Sequence, residues 1–304
     1  MDANDPNVLE KSLKDVGMVV NCVDAREPHL ARAAAAHGMA YLDITAHVPF
    51  WRQVLPLGDQ AHHSGARLLL GAGLIPGIAN VMARAGAELT GQAESIQSAL
   101  LLSMGDDFGP AALDYMLSAA AQPYVVMEGG REKTVLNFTG GKSVEFPAPL
   151  GTRRAYRFVL PGQIFYPQTL DVQTAVDRLA LEPPWVMGLC TALARLRLTG
   201  ALSNALVRKG FLCMFAAMGN TYASRDTYAI QVDVQGVGGK ARLSLFGRSE
   251  SDGTAIGAAL MARSLLEDEV MQPGVWLPEQ VIDPNQFFAG MAERGLHVCL
   301  DDPL

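Results

Sequence analysis

Short apolar runs alternate with helical patterns along the first third of the chain. The candidate strands are residues 18–22, 41–45 and 67–70, and the candidate helices are residues 28–37, 55–63 and 78–89. The first run shows no polar alternation before Asn21, which is typical of a strand buried on both faces. This strand–helix order with short connections predicts a parallel, doubly wound α/β sheet.

From about residue 95 the apolar runs become longer and follow one another more directly. The candidate strands are residues 96–104, 124–130, 134–140, 155–160, 172–180, 227–236 and 240–247. Val237, Gly238 and Gly239 separate the last two runs and predict a hairpin turn. Helical patterns at 109–121 and across 184–217 interrupt the strands, so this region predicts an α+β domain on a mostly antiparallel sheet. Helical spacing returns at 254–267 and 284–294.

Composition and charge exclude several classes of partner. Hydrophobic residues make up 49% of the 304 residues and charged residues 18%, which indicates a well-packed globular protein. The formal net charge is −7, so the chain offers no broad basic face for nucleic acid. No apolar run reaches the roughly 18–20 residues of a membrane span. The partners expected are therefore small molecules, with neither nucleic acid nor membrane.

The cysteines and the first residues bear on location. Cys22, Cys190, Cys213 and Cys299 are widely spaced and form no CxxC pair, which predicts a reducing compartment and no metal site. The acidic, polar residues 1–15 do not resemble a secretory signal. We therefore expect a cytoplasmic protein.

Polar residues and glycines follow the predicted parallel strands. Asn21 closes the first strand, Asp43 and Thr45 the second, and Gly71 and Gly73 follow the third. Because open α/β sheets bind ligands at the carboxyl ends of their strands, we expect these positions to share one crevice.

The segment 71–77 (GAGLIPG) admits two interpretations on its residues alone. Its glycines mimic a dinucleotide-binding turn, with Asp106 as a candidate ribose-binding acid. Pro76, however, removes a backbone N–H group that such a turn presents to phosphate. In the second interpretation the glycines only let the chain turn tightly before a helix.

Several segments, taken in order, resemble the saccharopine dehydrogenase-like family of NAD(P) oxidoreductases. They are residues 18–23 (MVVNCV), 38–45 (GMAYLDIT), 70–80 (LGAGLIPGIAN), 253–266 and 273–294. The resemblance implies a partial Rossmann-type parallel sheet formed by 1–93 and 250–304, with an inserted α+β catalytic and dimerisation domain at 94–249. It also implies that the glycine-rich unit that opens the family's fold is absent from this sequence.

The resemblance further implies a cofactor, NAD or NADP, and a set of site residues. The implied cofactor-binding residues are Asn21, Cys22, Val23, Asp43, Thr45 and Gly73, and the implied substrate-binding residues are Pro76, Gly77 and Asn80. Where the family often carries Gly-Glu, this sequence has Ala46 and His47. Histidine titrates near neutrality, so His47 is the candidate proton donor, with a solvated or capping residue as the alternative.

The expected activity is hydride transfer between NAD(P) and a C–N centre of an amino-acid-like substrate, in a homodimer. Arg153, Arg154 and Arg157 can clamp a substrate carboxylate, or they form a solvated face. The alternative to an enzyme is a cofactor-deficient binding or scaffold protein derived from the same fold.

Overall fold

A computed structural model describes residues 9, 11–23, 27–104, 110–222, 226–267 and 271–301. The candidate ribose-binding acid Asp106 lies outside the described residues. The chain divides into two compact units, the first formed by Met1–Val81 with Thr254–Met291 and the second by Met82–Gly253 with Ala292–Leu304.

The first unit contains a four-stranded sheet in which all neighbouring strands are parallel. In spatial order its strands are β1 (Met18–Asn21), β2 (Ala40–Asp43), β3 (Arg67–Leu70) and β12 (Gly274–Trp276). The predicted doubly wound α/β class is confirmed. The interior of this sheet is apolar, since Leu42, Leu68 and Leu69 are fully buried.

The helices beside this sheet include the crossovers that parallel pairing requires between β1, β2 and β3. They are α1 (His29–Ala36), α2 (Val48–Val54), α3 (Gly58–Ser64), α4 (Ile78–Leu89), α9 (Glu250–Glu267), α10 (Pro278–Val281) and α11 (Pro284–Ala292), with a 3₁₀ turn at Leu55–Leu57. The predicted helix at 55–63 is therefore a 3₁₀ turn followed by α3, and α2 precedes it. Pro49 at the start of α2 supplies a preset backbone angle for its first turn.

Two features of this sheet differ from the sequence-based expectation. Strand β12 was not predicted, because its three residues are too short to show a period. Strand β1 was predicted to be buried on both faces, and that prediction is wrong, since Val20 is 46% exposed. Among the described residues β1 pairs only with β2, so it lies at a sheet edge.

The second unit is built on a seven-stranded mixed sheet. In spatial order its strands are β13 (Val298–Asp301), β11 (Gly239–Arg248), β10 (Thr227–Gly236), β4 (Ala93–Ser103), β9 (Thr174–Glu182), β8 (Gly151–Arg157) and β7 (Lys142–Phe146). β4 and β9 run parallel and every other neighbouring pair is antiparallel. The predicted mostly antiparallel α+β architecture is confirmed.

A separate two-stranded hairpin, β5 (Tyr124–Glu128) with β6 (Arg131–Val135), accompanies this sheet. The unit's own helices are α5 (Pro110–Ala120), α6 (Gly162–Thr169), α7 (Pro184–Arg195) and α8 (Ala205–Tyr222). The predicted hairpin turn after residue 236 joins β10 to β11, whose pairing keeps one register from Thr227↔Arg248 to Gly236↔Gly239.

The unit boundaries differ from those expected from the sequence, 1–93 with 250–304 and 94–249. The division falls within α4 at residue 81, and residues 292–304 group with the larger sheet. The physical reason for the second difference is that β13 pairs with β11, from Arg242↔Asp301 to Leu245↔Val298.

No helix among the described residues is long and apolar enough to cross a lipid bilayer. This finding covers the predicted helical region at 184–217, which forms two helices rather than one long apolar segment.

Close packing around Tyr228 in the second unit gives a test of this fold. A Cβ atom at Gly247 would lie 2.4 Å from the ring and hydroxyl of the fully buried Tyr228. We expect Gly247→Ala to destabilise the protein by about 1–3 kcal/mol, the usual cost of overpacking a core. Urea unfolding followed by circular dichroism measures the change.

The matched control is Gly188→Ala in α7, where an added Cβ meets no described atom within 4 Å. Because alanine favours a helix over glycine, this variant should gain about 0.5–1 kcal/mol. Equal stabilities for the two variants would contradict the described packing of Tyr228.

Candidate functional site

The carboxyl edge of the parallel sheet brings the predicted positions together. In the register of β1 and β2, Asn21 lies opposite Asp43, and Asp43 lies opposite Leu70, the last residue of β3. Gly71 and Gly73 follow Leu70 directly. The three strands therefore deliver Asn21, Asp43 and the 71–77 loop to one edge, as the sequence predicted.

The Asp43 carboxylate is the centre of a buried hydrogen-bond network. Asn21 Nδ2 donates to Asp43 Oδ1 over 2.7 Å. Thr45 Oγ1 and Trp51 Nε1 donate to Asp43 Oδ2 over 2.8 and 3.0 Å. Asp43 is fully buried and Asn21 is 2% exposed, so these donors replace the water that a carboxylate would otherwise bind.

Burial changes the acidity of this group. Desolvation raises the pKa of the Asp43 carboxyl to about 6, although the hydrogen bonds from Asn21, Thr45 and Trp51 oppose the rise. The pKa of the neighbouring Tyr41 phenol is also raised, first by burial and then by the nearby Asp43 charge. The network thus holds a carboxylate that titrates closer to neutrality than an exposed one.

The 71–77 loop folds back on itself. Gly73 N donates to Pro76 O over 2.9 Å, and Ile78 N donates to Gly73 O over 3.0 Å. Gly77 has φ +131°, and a Cβ atom there would lie 1.9 Å from Gly73 O, so this close approach requires glycine. The Ile75–Pro76 peptide bond is cis.

This geometry argues against the loop as a phosphate-binding turn. Ala72 N donates to Asp43 O and Gly77 N to Asn80 Oδ1, over 2.8 and 3.0 Å. The backbone N–H groups of three loop residues, Ala72, Gly73 and Gly77, and that of Ile78 just after the loop are therefore bonded to protein acceptors, and Pro76 has no N–H group. A pyrophosphate needs such donors free at a helix start. The tight-turn interpretation is the one that fits.

Asn80 joins the loop to a distant helix. Its Oδ1 accepts from Gly77 N, and its Nδ2 donates to Glu279 Oε2 over 2.8 Å. Asn80 and Glu279 are 1% and 2% exposed. Both polar ends of the Asn80 side chain thus stabilise the loop, and its predicted contact with substrate stays a prediction.

The remaining predicted residues lie around this network. Cys22 is exposed and Val23 is 65% exposed just after β1, so both are open to a ligand. His47 immediately precedes α2 and is partly buried, and its carbonyl oxygen accepts from Phe50 N and Trp51 N. His47 therefore begins α2 through its backbone, with no side-chain hydrogen bond capping the helix, and both interpretations of its side chain stay predictions.

Two residues of this site were missed by sequence reasoning. Trp51 donates to Asp43 and also packs over the loop, since a Cβ atom at Gly71 would lie 2.4 Å from its ring. A tryptophan soon after a buried aspartate was an available signal. Glu279, which lies 199 positions beyond Asn80, had no local signal at all.

No group of three or more His, Cys, Asp or Glu side chains within the described ranges could hold a metal ion. The adjacent His62 and His63 are exposed, and His63 Nδ1 lies 2.6 Å from the backbone oxygen of Asp59.

A parallel sheet with polar residues at its carboxyl edge, joined to a second α+β unit, defines a Rossmann-like fold with an additional domain. Among solved structures, apo saccharopine dehydrogenase (L-Glu forming) from Saccharomyces cerevisiae shares this fold with a TM-score of 0.64. The match covers 100% of this chain and 88% of that one at 14% sequence identity, so it establishes the fold alone.

Two further solved structures are similar at lower TM-scores. GenD2 from gentamicin A biosynthesis, in complex with NAD, gives 0.36 at 13% identity, covering 97% of this chain and 82% of that one. An engineered D-amino acid dehydrogenase gives 0.41 at 10% identity, covering 95% and 84%. No protein-family model and no curated protein sequence matches the chain.

The raised pKa of Asp43 predicts how stability depends on pH. Because the folded state holds this proton up to about pH 6, against 3.8 ordinarily, the resulting stability is fully present below about pH 4. It is lost as the pH rises through 6. The rise of the Asp43 pKa from 3.8 to about 6 corresponds to about 3 kcal/mol of folding stability.

Urea unfolding of the protein and of Asp43→Asn between pH 4 and 7 measures this contribution. Asp177 in the second unit acts in the same direction, since burial raises its pKa to about 7, so the quantity of interest is the difference between the two proteins. The variant should lose the part of the slope that Asp43 contributes. Identical slopes would show that Asp43 titrates normally.

Removal of the Asn80 side chain should destabilise the first unit. Asn80→Ala deprives Gly77 N–H of its acceptor and the buried Glu279 carboxylate of a donor. We expect a loss of about 1–3 kcal/mol, the usual cost when a buried polar group such as the Gly77 N–H loses its hydrogen-bond partner. Thermal and urea unfolding test this loss.

Gln53→Ala in α2 is the control, since Gln53 is exposed and its hydrogen bond to Pro49 O is 3.4 Å long. Its effect should stay within about 0.5 kcal/mol. If Asn80→Ala is equally mild, the link from the loop to Glu279 does not stabilise the fold.

Proposed function

We propose that this protein is an NAD(P)-dependent oxidoreductase that transfers hydride between the cofactor and a C–N centre of an amino-acid-like substrate. One observation carries the proposal: three neighbouring parallel strands bring Asn21, Asp43 and the 71–77 loop to the same edge of the sheet. That edge is where open α/β sheets bind their ligands. The fold match to a saccharopine dehydrogenase supports the same class of chemistry.

The described residues fit the nicotinamide end of a dinucleotide better than its pyrophosphate. Cys22 and Val23 are exposed at the carboxyl edge of the sheet, which we call the rim, and together with the buried Gly73 they are the residues we assign to the nicotinamide end. Asn21 and Asp43 are buried and Thr45 is partly buried. Asn21 and Thr45 both donate to the Asp43 carboxylate, so the three would shape that rim without touching the ring. The pyrophosphate finds no matching cradle in the 71–77 loop, so we assign it no residue of the described chain.

A bound nicotinamide supplies or accepts the hydride, and the protein's part is to orient the reactants and to move a proton. We assign the proton to His47, which follows Thr45 at the same sheet edge. Pro76, Gly77 and Asn80 are assigned to the wall beside the substrate, through the shape of the loop they build.

The test is a fluorescence titration with NADH and with NADPH. The rim assignment predicts that Cys22→Trp weakens binding at least about tenfold, because the added ring occupies space that the cofactor needs. Cys22 is exposed, so the variant should fold normally. Cys299→Trp, at an exposed cysteine on β13 in the second unit, is the matched control and should bind as the unmodified protein does.

The second candidate function is a cofactor-deficient binding or scaffold protein derived from this fold. The internally bonded amides of the 71–77 loop favour it. Failure of both NADH and NADPH to bind at millimolar concentration would support the scaffold and contradict the oxidoreductase. Equal binding by both tryptophan variants would contradict the rim assignment alone.

The choice of NAD or NADP, the homodimer and the cytoplasmic location stay predictions. The same titration compares the two cofactors directly, and sedimentation velocity measures the oligomeric state.

A further inference from the structure

Two arginines lie side by side on the sheet of the second unit. Arg157 on β8 and Arg178 on β9 are direct Cα partners in the antiparallel register. Directly opposite residues of an antiparallel pair project from the same face, so the two side chains share one surface of the sheet. Like charges at this spacing repel unless something between them compensates.

Among the described residues Arg157 forms one salt bridge. Its Nη2 forms an ion pair with Glu128 at the end of β5, and Lys133 Nζ also bonds that carboxylate over 2.8 Å. The backbone at Gly140 approaches Arg157 closely, since a Cβ atom there would lie 2.9 Å from Arg157 Nε. The Arg157 side chain is only 12% exposed, so the guanidinium is held in place rather than solvated.

Arg178 is more deeply buried and less well compensated. It is 9% exposed, and its Nη1 donates to the neutral Gln97 Oε1 over 3.2 Å, an oxygen that Lys142 Nζ also contacts at 3.2 Å. Within the described ranges no carboxylate forms a salt bridge with Arg178. Burial, and then the charge of Arg157, lower the pKa of its guanidinium.

The neighbouring acids do not remove this excess of positive charge. Glu128 is shared between Arg157 and Lys133. Burial raises the pKa of Asp177 to about 7, so Asp177 is only partly ionised near neutrality. One of its carboxyl oxygens also accepts from Gln163 N over 2.9 Å. The residues around the two arginines, which we call the cluster, therefore carry more cations (Arg157, Arg178 and Lys133) than ionised carboxylates.

Three buried polar atoms of this cluster have no hydrogen-bond partner among the described residues. They are Arg157 Nη1, Arg178 Nε and the Tyr124 hydroxyl oxygen. Burial and then the Asp177 charge raise the pKa of the Tyr124 phenol on β5, whereas Arg157, the nearby Gln163 side chain and Arg178 lower it, so the phenol lies close to both arginines. Buried polar groups in folded proteins are nearly always paired, and a buried guanidinium left unpaired is costly.

We propose that Arg157, Arg178 and Tyr124 form a binding site for a small oxyanion, either a carboxylate or an inorganic phosphate. Such a ligand presents acceptor oxygens to the unpartnered N–H and O–H groups and supplies the missing negative charge. The cluster lies within the second unit, so the proposal is independent of cofactor binding. It selects Arg157 from the basic stretch at 153–157 and adds Arg178, which sequence reasoning did not consider.

The test compares melting temperatures in sodium phosphate, sodium glutarate and sodium chloride at equal ionic strength, which holds non-specific screening constant. We expect a saturable rise with phosphate or with glutarate, and the ligand that produces it identifies the source of the oxyanion. Isothermal titration calorimetry with that ligand then gives the affinity.

Arg178→Gln should weaken the binding at least about tenfold, because charge-assisted hydrogen bonds to an oxyanion are the strongest contacts available here. Tyr124→Phe removes a single oxygen, leaves the packing intact and should weaken binding about fivefold. Arg154→Gln is the matched control, since Arg154 lies on β8 with Arg157 but is exposed, and its Nη2 donates to Gly141 O over 3.3 Å. Its loss should leave the affinity unchanged.

The proposal fails if neither oxyanion raises the melting temperature above the chloride reference. It also fails if Tyr124→Phe and Arg178→Gln both bind as tightly as Arg154→Gln. Should Arg178→Gln not fold, the comparison of Tyr124→Phe with the control decides.

Discussion

The burial of the Asp43 carboxylate is the constraint on which the first unit depends. Its donors come from three different places, the end of β1, the loop after β2 and helix α2. A carboxylate removed from water needs such donors, so the carboxylate ties those segments to the sheet. The position of His47 follows from this, because His47 lies between Thr45 and Trp51, which both bond to Asp43. The arrangement of the rim is thus a consequence of one buried charge.

The 71–77 loop extends this constraint to the third strand. Trp51 bonds Asp43 and at the same time packs over Gly71, where a larger residue would collide with its ring. Ala72 N donates to the backbone oxygen of Asp43, so the loop begins against the same residue. Glycine is needed here because the chain passes close to other atoms, and phosphate plays no part in that requirement. The resemblance of GAGLIPG to a dinucleotide-binding turn therefore has a packing cause.

Sequence reasoning succeeded where the relevant signal is local. Apolar runs and helical spacing placed β1, β2, β3 and α4, and the positions that follow those strands do share one sheet edge. It failed where structure depends on distant partners. The three residues of β12 have no period of their own, and the link from Asn80 to Glu279 joins positions 199 apart. Pairing across such separations leaves no pattern in a single sequence.

Asp43 and Arg178 are both buried charged groups that have lost contact with water, and the protein compensates them to different degrees. Asp43 has three donors from its own chain, so its carboxylate is hydrogen-bonded without a ligand, and its predicted contact with a cofactor stays a prediction. Arg178 has a single neutral acceptor, and its Nε finds no partner in the part of the chain that the structure describes. A buried group that the protein satisfies is evidence of structure, whereas one that it leaves unsatisfied points outward to something bound. By this criterion the Asp43 carboxylate is satisfied by the protein itself. Arg178 on β9 is the buried charged residue whose unsatisfied Nε indicates a bound ligand.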